Sequence, residues 1–237
     1  MKFKFYALFF LVNTGLSLAQ NSVNGKNVGK FLGGTETTDF SSRALFNKAE
    51  LLGKPTNTGK IEGSALLFEK WDNDGIIVMG DKSYRLNNLN YDINQDAFLS
   101  KIDEDSTFVF DFTNIDKVVI NDKLFKQYYS PSQQKSKIYE VIFENGDFSL
   151  LKGYFVVVIE GSPDPMLHRP NSKIRKKSDY FIMKDNIIEP FKWNKKSIAG
   201  LVEDNKKEDF EKYVKKNKLS YNDESDVSLV LKFFSKN

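Results

Sequence analysis

The sequence predicts a β-rich α+β fold: an antiparallel curved sheet, sandwich or partial barrel of about ten to twelve strands, with three short C-terminal helices. Two observations lead to this prediction. Between Ile61 and Trp193, short runs of β-branched and aromatic residues end in turn signals about every 8 to 12 residues, which is typical of antiparallel sheets. After Trp193 the apolar residues recur about every 3.6 residues, which indicates helices.

Residues 1–19 have the order of parts of a cleavable secretory signal peptide. Two lysines precede an apolar stretch at 5–12, and small residues at Ser17 and Ala19 fit signal peptidase cleavage before Gln20. The alternative is a membrane anchor, but a spanning helix needs about 20 apolar residues, whereas the whole run 5–18 is about 14 residues long and has polar interruptions. We therefore expect an exported protein with no transmembrane segment after cleavage, either periplasmic or extracellular, with a peripheral position at the outer membrane included.

The segment 20–60 is rich in Gly, Asn, Thr and Ser and is predicted to be a tether with one short helix at 42–52, which Gly53 and Pro55 end. The predicted organisation is a signal peptide at 1–19, the tether at 20–60, an antiparallel β domain at 61–193 and helices at 194–237 that pack on the β domain.

The predicted strands of the β domain are 65–71, 76–79, 84–93, 97–102, 107–112, 115–120, 124–129, 138–143, 148–151, 154–159, 180–184 and 187–193. Asn145 and Gly146 tolerate positive φ, so they predict a type I′ hairpin turn. The phenylalanines of 107–112 share one face, which should pack on a core. Residues 155–159 are apolar on both faces, so they should form a central strand covered on both sides.

Three helices are predicted after Trp193. Asn194 should cap the first, at 195–202. The second is indicated by helical spacing of Phe210, Tyr213 and Val214. Asn222 should cap the third, whose apolar stripe consists of Val227, Val230, Leu231 and Phe234.

Composition excludes several function classes. The chain has no cysteine, which excludes disulfides, thiolate metal sites, cysteine nucleophiles and a lipid-modified cysteine. With 35 Lys and Arg against 32 Asp and Glu, loss of Lys2 and Lys4 with the signal peptide leaves a formal net charge of +1. Nucleic-acid binding normally needs a strongly basic face, so no nucleic-acid partner is expected. The absence of phosphate-loop, zinc and dinucleotide motifs predicts no cofactor.

One long connection, 161–177, holds the candidate binding residues. It contains His168, the single histidine of the chain, followed by Arg169 in a proline-rich stretch. It ends in the densest basic cluster of the sequence, which consists of Lys173, Arg175, Lys176 and Lys177. Such a cluster can bind a phosphate, an acidic glycan or a lipid headgroup. The alternative is a charged flexible loop that keeps a sheet edge soluble.

No catalytic residue and no metal ligand is assigned. Ser162 or Asp164 could form a triad with His168, but the spacing supplies no oxyanion hole and no nucleophile elbow. Residues 72–75 resemble part of a calcium loop, yet the glutamate that should end such a loop is replaced by Asp81, so a hairpin turn is the better interpretation. The adjacent carboxylates at 103–105 predict a solvated turn.

Two parts of the mature chain support a family resemblance. They contain Gly63-Ser-Ala-Leu-Leu-Phe-Glu-Lys-Trp71, Gly80-Asp-Lys-Ser-Tyr84, Leu89-Asn-Tyr-Asp-Ile93 and the tail Phe210-Glu-Lys-Tyr-Val-Lys-Lys-Asn-Lys-Leu219. In these motifs the chain resembles an uncharacterised family of exported Bacteroidota (flavobacterial-type) proteins with a Gly-Ser-Pro-Tyr-Leu-like start and a lysine-rich helical C-terminus. Ala65 stands where that family often has proline, and Asp92 where it often has asparagine. The resemblance implies export and a fold type, and it transfers no activity and no site residue.

These observations favour an exported, noncatalytic envelope protein that binds a protein or a glycan through strand edges or through residues 161–177. One alternative is a periplasmic carrier of a lipid or another hydrophobic ligand, in which the curved sheet encloses an apolar cavity. Another is a hydrolase that uses His168. The sequence assigns no oligomeric state.

Signal cleavage can be tested directly. Expression of the full chain in a Gram-negative host should give an exported protein whose N-terminus is Gln20, because Ser17 and Ala19 satisfy the cleavage rule. N-terminal sequencing and intact mass measurement check this, and replacement of Ala19 by Arg should block cleavage. Retention of residues 1–19 on the exported wild-type protein would contradict the prediction.

Overall fold

A computed structural model describes residues 21–23, 61–103, 106–130, 134–161 and 171–235. Thirteen strands lie in these ranges: β1 (Asn21–Val23), β2 (Ile61–Glu62), β3 (Gly75–Met79), β4 (Lys82–Leu86), β5 (Leu89–Asp92), β6 (Ala97–Lys101), β7 (Thr107–Phe110), β8 (Lys117–Ile120), β9 (Lys123–Ser130), β10 (Lys135–Glu144), β11 (Ser149–Ile159), β12 (Ser172–Lys184) and β13 (Ile187–Pro190). The α-helices are α1 (Lys195–Ala199), α2 (Lys207–Lys216) and α3 (Glu224–Ser235). The predicted β-rich α+β class with three C-terminal helices is confirmed.

The strands form two sheets. The large sheet has the order β1-β4-β3-β8-β9-β10-β11-β12-β13, with β2 beside β12, and the small sheet has the order β5-β6-β7. Most pairs are antiparallel, but β1 pairs with β4 and β2 pairs with β12 in parallel, so the large sheet is mixed. The path from β1 at one edge to β13 at the other makes it an open sheet.

Some predicted strands differ from the observed ones. Residues 65–71 form a single bridge, between Leu66 and Asp92, because the buried Asn90 side chain hydrogen-bonds their backbone in place of a ladder. The predicted strand 84–93 is divided into β4 and β5, which lie in different sheets. Conversely, the predicted strands 148–151 and 154–159 are one continuous strand, β11.

The hairpin between β10 and β11 forms as expected, but its turn is not type I′. Positive φ occurs at neither Asn145 nor Gly146. Instead the Asn145 side-chain oxygen accepts hydrogen bonds from the backbone N–H groups of Asp147 and Phe148 at 3.0 and 2.8 Å. The side chain thus replaces a backbone turn, as asparagine often does.

A first apolar cluster fills the space between the small sheet and the β3, β4 and β8 to β11 part of the large sheet. Its fully buried members include Tyr91, Phe98 and Phe125, whose ring centroids lie 5.2 to 5.9 Å apart. The phenylalanines of 107–112 enter this cluster, as their alternation predicts. We call the face of the large sheet that packs here its inner face.

A second apolar cluster joins the same inner face to the helices. It combines Phe143 and Leu150 of the sheet and Phe148 of the β10–β11 turn with buried residues of all three helices. A bulge between Val141 and Phe143 in β10 shifts the register, so that both Ile142 and Phe143 contact this cluster. The predicted stripe of the third helix is confirmed, since Val227, Val230 and Leu231 are buried and Phe234 packs beside them.

The helix caps are predicted correctly at one of two positions. The Asn194 side chain accepts from Ser197 N at 2.9 Å, so it caps α1 as expected. The cap predicted at Asn222 is wrong by one residue. Asp223 accepts from Ser225 N and Asp226 N, and its charge also suits the positive end of the α3 dipole better than an amide does.

The β11–β12 pair extends beyond the rest of the large sheet. β12 follows β11 from Ser149 to Ile159, whereas β10 pairs with β11 only as far as Lys152. Residues 155–159 and 173–177 therefore form an extension of the β11–β12 pair, with β2 beside its far end, and we call this extension the arm. Two predictions are corrected here. Residues 155–159 are not covered on both sides, because Val158 is 50% exposed, and the basic cluster lies in a strand and not in a long loop.

Several predicted features lie outside the described residues, namely the signal peptide at 1–19 and the helix at 42–52. Part of the predicted tether is described, and its residues 21–23 form the edge strand β1. Among the described residues, no helix has the length and apolarity needed to cross a membrane.

The contribution of α3 to stability can be measured with two leucines of the same helix. Leu231 is 1% exposed in the second cluster, whereas Leu229 is 54% exposed. Leu231→Ala should lower the free energy of unfolding by about 2 to 5 kcal/mol, because it removes apolar contacts and leaves a cavity. Leu229→Ala should change it by less than about 0.5 kcal/mol. Urea unfolding followed by circular dichroism checks both, and equal effects would show that α3 does not pack as described.

Candidate binding site on the arm

The arm brings together three of the cations that the sequence singles out for binding. Antiparallel pairing sets apolar residues of β11 opposite cations of β12, as Phe155 with Lys177, Val157 with Arg175 and Ile159 with Lys173. Opposite residues share one face of a strand pair. The result is an apolar row beside a cationic row, and successive cations are two residues or about 6.6 Å apart along the strand. We call this the outer face of the arm.

The opposite face of the arm packs on the protein near its base. Val156 contacts the first cluster beside Tyr154, whereas Val158 farther along is exposed. Because side chains alternate along a strand, the Lys176 side chain lies on this inner side. Its Nζ donates hydrogen bonds to the carbonyl oxygens of Leu66 and Leu67 at 2.9 and 3.2 Å. Lys176 thus fastens the arm to the segment before β3, and it is turned away from the other three cations.

The three outer-face cations differ in their partners. Lys173 forms an ion pair with Glu62 at 3.0 Å. Glu62 also accepts a hydrogen bond from the Asn171 amide at 2.7 Å. Arg175 and Lys177 are exposed and form no ion pair within the described ranges. An incoming anionic group would therefore meet two positive charges that form no ion pair, with the exposed Asp179 as the next residue on this face.

The apolar row of the arm continues toward the body of the sheet. Tyr139, Val141 and Leu151 form a third cluster on the outer side, with Phe181 packed against them. Gly153 lies beneath two of these rings, and a Cβ there would be 2.9 Å from Phe181 and 3.1 Å from Tyr139. Glycine thus allows the rings to close over β11, and the apolar surface runs from this cluster onto the arm.

Of the other candidates from the sequence, some lie outside the described residues and some have structural roles. His168 and Arg169, with Ser162 and Asp164 of the catalytic alternative, lie outside the described residues. In the region compared with a calcium loop, Asp74 pairs instead with Arg85 and Asn73 is buried, where it accepts from Asn121 at 2.8 Å. No group of three or more acidic or histidine side chains in the described part of the chain could hold a metal ion.

A network of polar residues around the buried Glu140 and Tyr154 was missed by the sequence analysis. We call it the seam, and it consists of Lys123, Glu140, Lys152, Tyr154, Tyr180 and Glu224. Glu140, Lys152 and Tyr180 are direct neighbours across β10, β11 and β12. Their row crosses the inner face between the first and second clusters. The available signal was a charge inside an apolar strand, as with Glu140 between Tyr139 and Val141.

Each carboxylate of the seam is held by one lysine and one tyrosine. Glu140 accepts from Lys123 Nζ at 2.6 Å and from the Tyr154 hydroxyl. Glu224, the first residue of α3, accepts from Lys152 Nζ at 2.7 Å and from the Tyr180 hydroxyl. These contacts satisfy both carboxylates and tie α3 to the sheet. The seam is therefore suited to holding the helices in place, and its carboxylates are not presented to a substrate.

The buried tyrosines make stability sensitive to alkaline pH. Burial, and then the charge of Glu140, raises the pKa of Tyr154 above its ordinary value. The folded protein thus keeps Tyr154 neutral while the unfolded chain ionises near pH 10. The contribution of Tyr154 to the free energy of unfolding is therefore fully present below about pH 10. Above about pH 10 the free energy of unfolding should fall by up to about 1.4 kcal/mol per pH unit because of this tyrosine.

Tyr154→Phe provides the test of this linkage. Urea unfolding at several pH values between about 9 and 12 should show a shallower loss of stability for the variant than for the wild type. Tyr129→Phe is the matched control, because Tyr129 is 57% exposed. Identical slopes for Tyr154→Phe and wild type would contradict the described burial of Tyr154.

Comparisons with protein-family models, curated proteins and solved structures find no match to the chain. The function is therefore inferred from the geometry of the arm and of the seam.

Proposed function

We propose that this chain is an exported, noncatalytic envelope protein that binds an acidic partner protein through the outer face of the arm. The observation that carries the proposal is the pair of exposed, unpaired cations Arg175 and Lys177 beside the apolar row of Phe155, Val157 and Ile159. Such a surface offers both charge and apolar contact. Protein segments that mix acidic and apolar side chains complement it, whereas an acidic glycan would use mainly the cations.

Export is part of the proposal and is supported by the signal-peptide pattern at 1–19 and by the resemblance to exported Bacteroidota proteins. A chain that lacks cysteine is independent of disulfide formation, and this suits a bacterial envelope. A position in the periplasm, outside the cell or at the periphery of the outer membrane follows from the same features.

A noncatalytic role is supported because the polar side chains of the seam and of the inner side of the arm already have hydrogen-bond partners within the protein. The carboxylates of the seam are occupied by lysine and tyrosine donors, and Lys176 is occupied by backbone carbonyls. The cations without such partners lie on an exposed strand, where binding needs no enclosed pocket. A carrier of a hydrophobic ligand and a hydrolase that uses His168 remain alternative hypotheses.

The proposed site predicts that removing positive charge from the arm weakens binding of an acidic ligand more than removing it elsewhere on the protein. Arg175→Gln with Lys177→Gln should weaken binding of fluorescent polyglutamate about fivefold or more at low ionic strength, because each exposed ion pair contributes up to about 1 kcal/mol. Lys215→Gln with Lys216→Gln on α2 removes the same charge elsewhere and should have a smaller effect. Fluorescence anisotropy checks both, and equal weakening would contradict a site on the arm.

A parallel titration with polygalacturonate separates the two partner classes. If the protein partner is correct, polygalacturonate should bind more weakly than a polypeptide that contains both glutamate and apolar residues. Tighter binding of the polysaccharide, lost in the Arg175→Gln and Lys177→Gln variant, would assign the arm to an acidic glycan instead.

A further inference from the structure

The edge of β12 that faces away from β11 is only partly paired. β2 pairs with it at Ser172 and Lys173, and β13 pairs with it from Phe181 to Lys184. Between these contacts, residues 174–180 have no strand partner among the residues that the structure describes. This open stretch is about 20 Å long at 3.3 Å per residue. It borders the outer face of the arm.

The direction of the backbone groups along this edge follows from the pairing at its end. Tyr180 accepts a hydrogen bond from Phe191 N at 2.8 Å, so its carbonyl points to the open side. In an antiparallel ladder every second residue directs its N–H and C=O to the same side. Ile174, Lys176 and Ser178 therefore face the open edge, while the residues between them bond to β11.

One of these three residues is already covered. A Cβ on Gly63 would lie 3.1 Å from the Ile174 carbonyl oxygen, which places the chain after β2 directly against Ile174. Lys176 and Ser178 remain, and within the described part of the chain no backbone group pairs with their outward N–H and C=O groups. Unpaired edge groups of this kind are a template for another strand.

We infer that this edge receives an acidic, extended segment of the partner protein as an added strand, paired with the backbone of Lys176 and Ser178. The inference rests on the proposed function and assigns its mode of recognition. An added strand has its side chains alternating between the two faces, so every second side chain would lie beside the outer face of the arm. There it would neighbour Arg175 and Lys177.

Charge decides which strand can pair at this edge. Acidic side chains at two alternate positions of the segment would oppose Arg175 and Lys177, and such cross-strand pairs stabilise a sheet. The next position on that face lies beside the exposed Asp179, where an acidic side chain would be repelled. Arg175 and Lys177 thus favour a segment that carries acidic side chains beside them.

The test separates backbone pairing from charge attraction. The probe is a fluorescent six-residue peptide that alternates glutamate and valine, together with the same peptide N-methylated at every second backbone nitrogen in each of the two registers. Both methylated peptides keep the charge, but only the one methylated at the nitrogens that face β12 cannot complete the ladder. We expect the unmodified peptide to bind at least about tenfold more tightly than the peptide methylated in the pairing register. Equal affinities of all three peptides would overturn strand addition.

A variant of the protein tests the same contact from the other side. Ser178→Pro removes an N–H group that points to the open edge and not to β11, so the arm should still fold, and circular dichroism checks this. It should weaken binding of the unmodified peptide to the level of the methylated one. Ser178→Thr keeps the N–H group and should bind like the wild type. If Ser178→Pro folds and binds the unmodified peptide like the wild type, strand addition is wrong.

The two proposals can fail separately. If Arg175→Gln with Lys177→Gln weakens binding of the unmodified and methylated peptides alike, and Ser178→Pro has no effect, the arm binds acidic partners by charge alone and strand addition is overturned. If the charge variant has no effect on any of these peptides, the proposed function fails as well.

Discussion

The inner face of the large sheet must be kept from water over nearly its whole width, and most of the architecture serves this requirement. Strands β3, β4 and β8 to β11 are covered by the small sheet, and the part of β10 to β12 near the β10–β11 turn is covered by the helices. Neither cover alone is wide enough. The chain therefore builds two apolar clusters side by side, each closed by a different kind of layer, as is common in α+β folds.

The seam lies where these two covers meet. A buried carboxylate such as Glu140, which is 4% exposed, is costly to desolvate unless a cation and hydrogen bonds compensate it. Lys123 and Tyr154 supply this compensation for Glu140, and Lys152 and Tyr180 do so for Glu224. Such a network fixes position, because the carboxylate at the start of α3 meets its two donors, Lys152 and Tyr180, side by side on the sheet. The helices are thereby held in one orientation on the sheet.

The arm is the part of the β11–β12 pair that extends past these covers, and this explains why it suits binding. Its inner side is fastened through Lys176 and Val156, so the outer face is presented on a supported strand pair and not on a loop. A rigid, pre-formed surface loses little conformational entropy when a partner binds. The open edge of β12 and the cations of the outer face lie on the same few residues, so backbone pairing and charge recognition can act together on one partner segment.

Local patterns in the sequence determined the β-rich class, most strand positions, the three helices and the apolar stripe of α3, because alternation and helical spacing are properties of neighbouring residues. The same alternation would have placed Lys173, Arg175 and Lys177 on one face had 173–177 been recognised as a strand. The polar composition of 173–177 concealed this strand, and the segment is a strand only because it pairs with β11 along a long register. The seam joins Lys152 to Glu224, residues far apart in the sequence, and the division of 84–93 between two sheets depends on strand order. Such relations arise only when distant segments meet across a core, so the tertiary structure alone decided them.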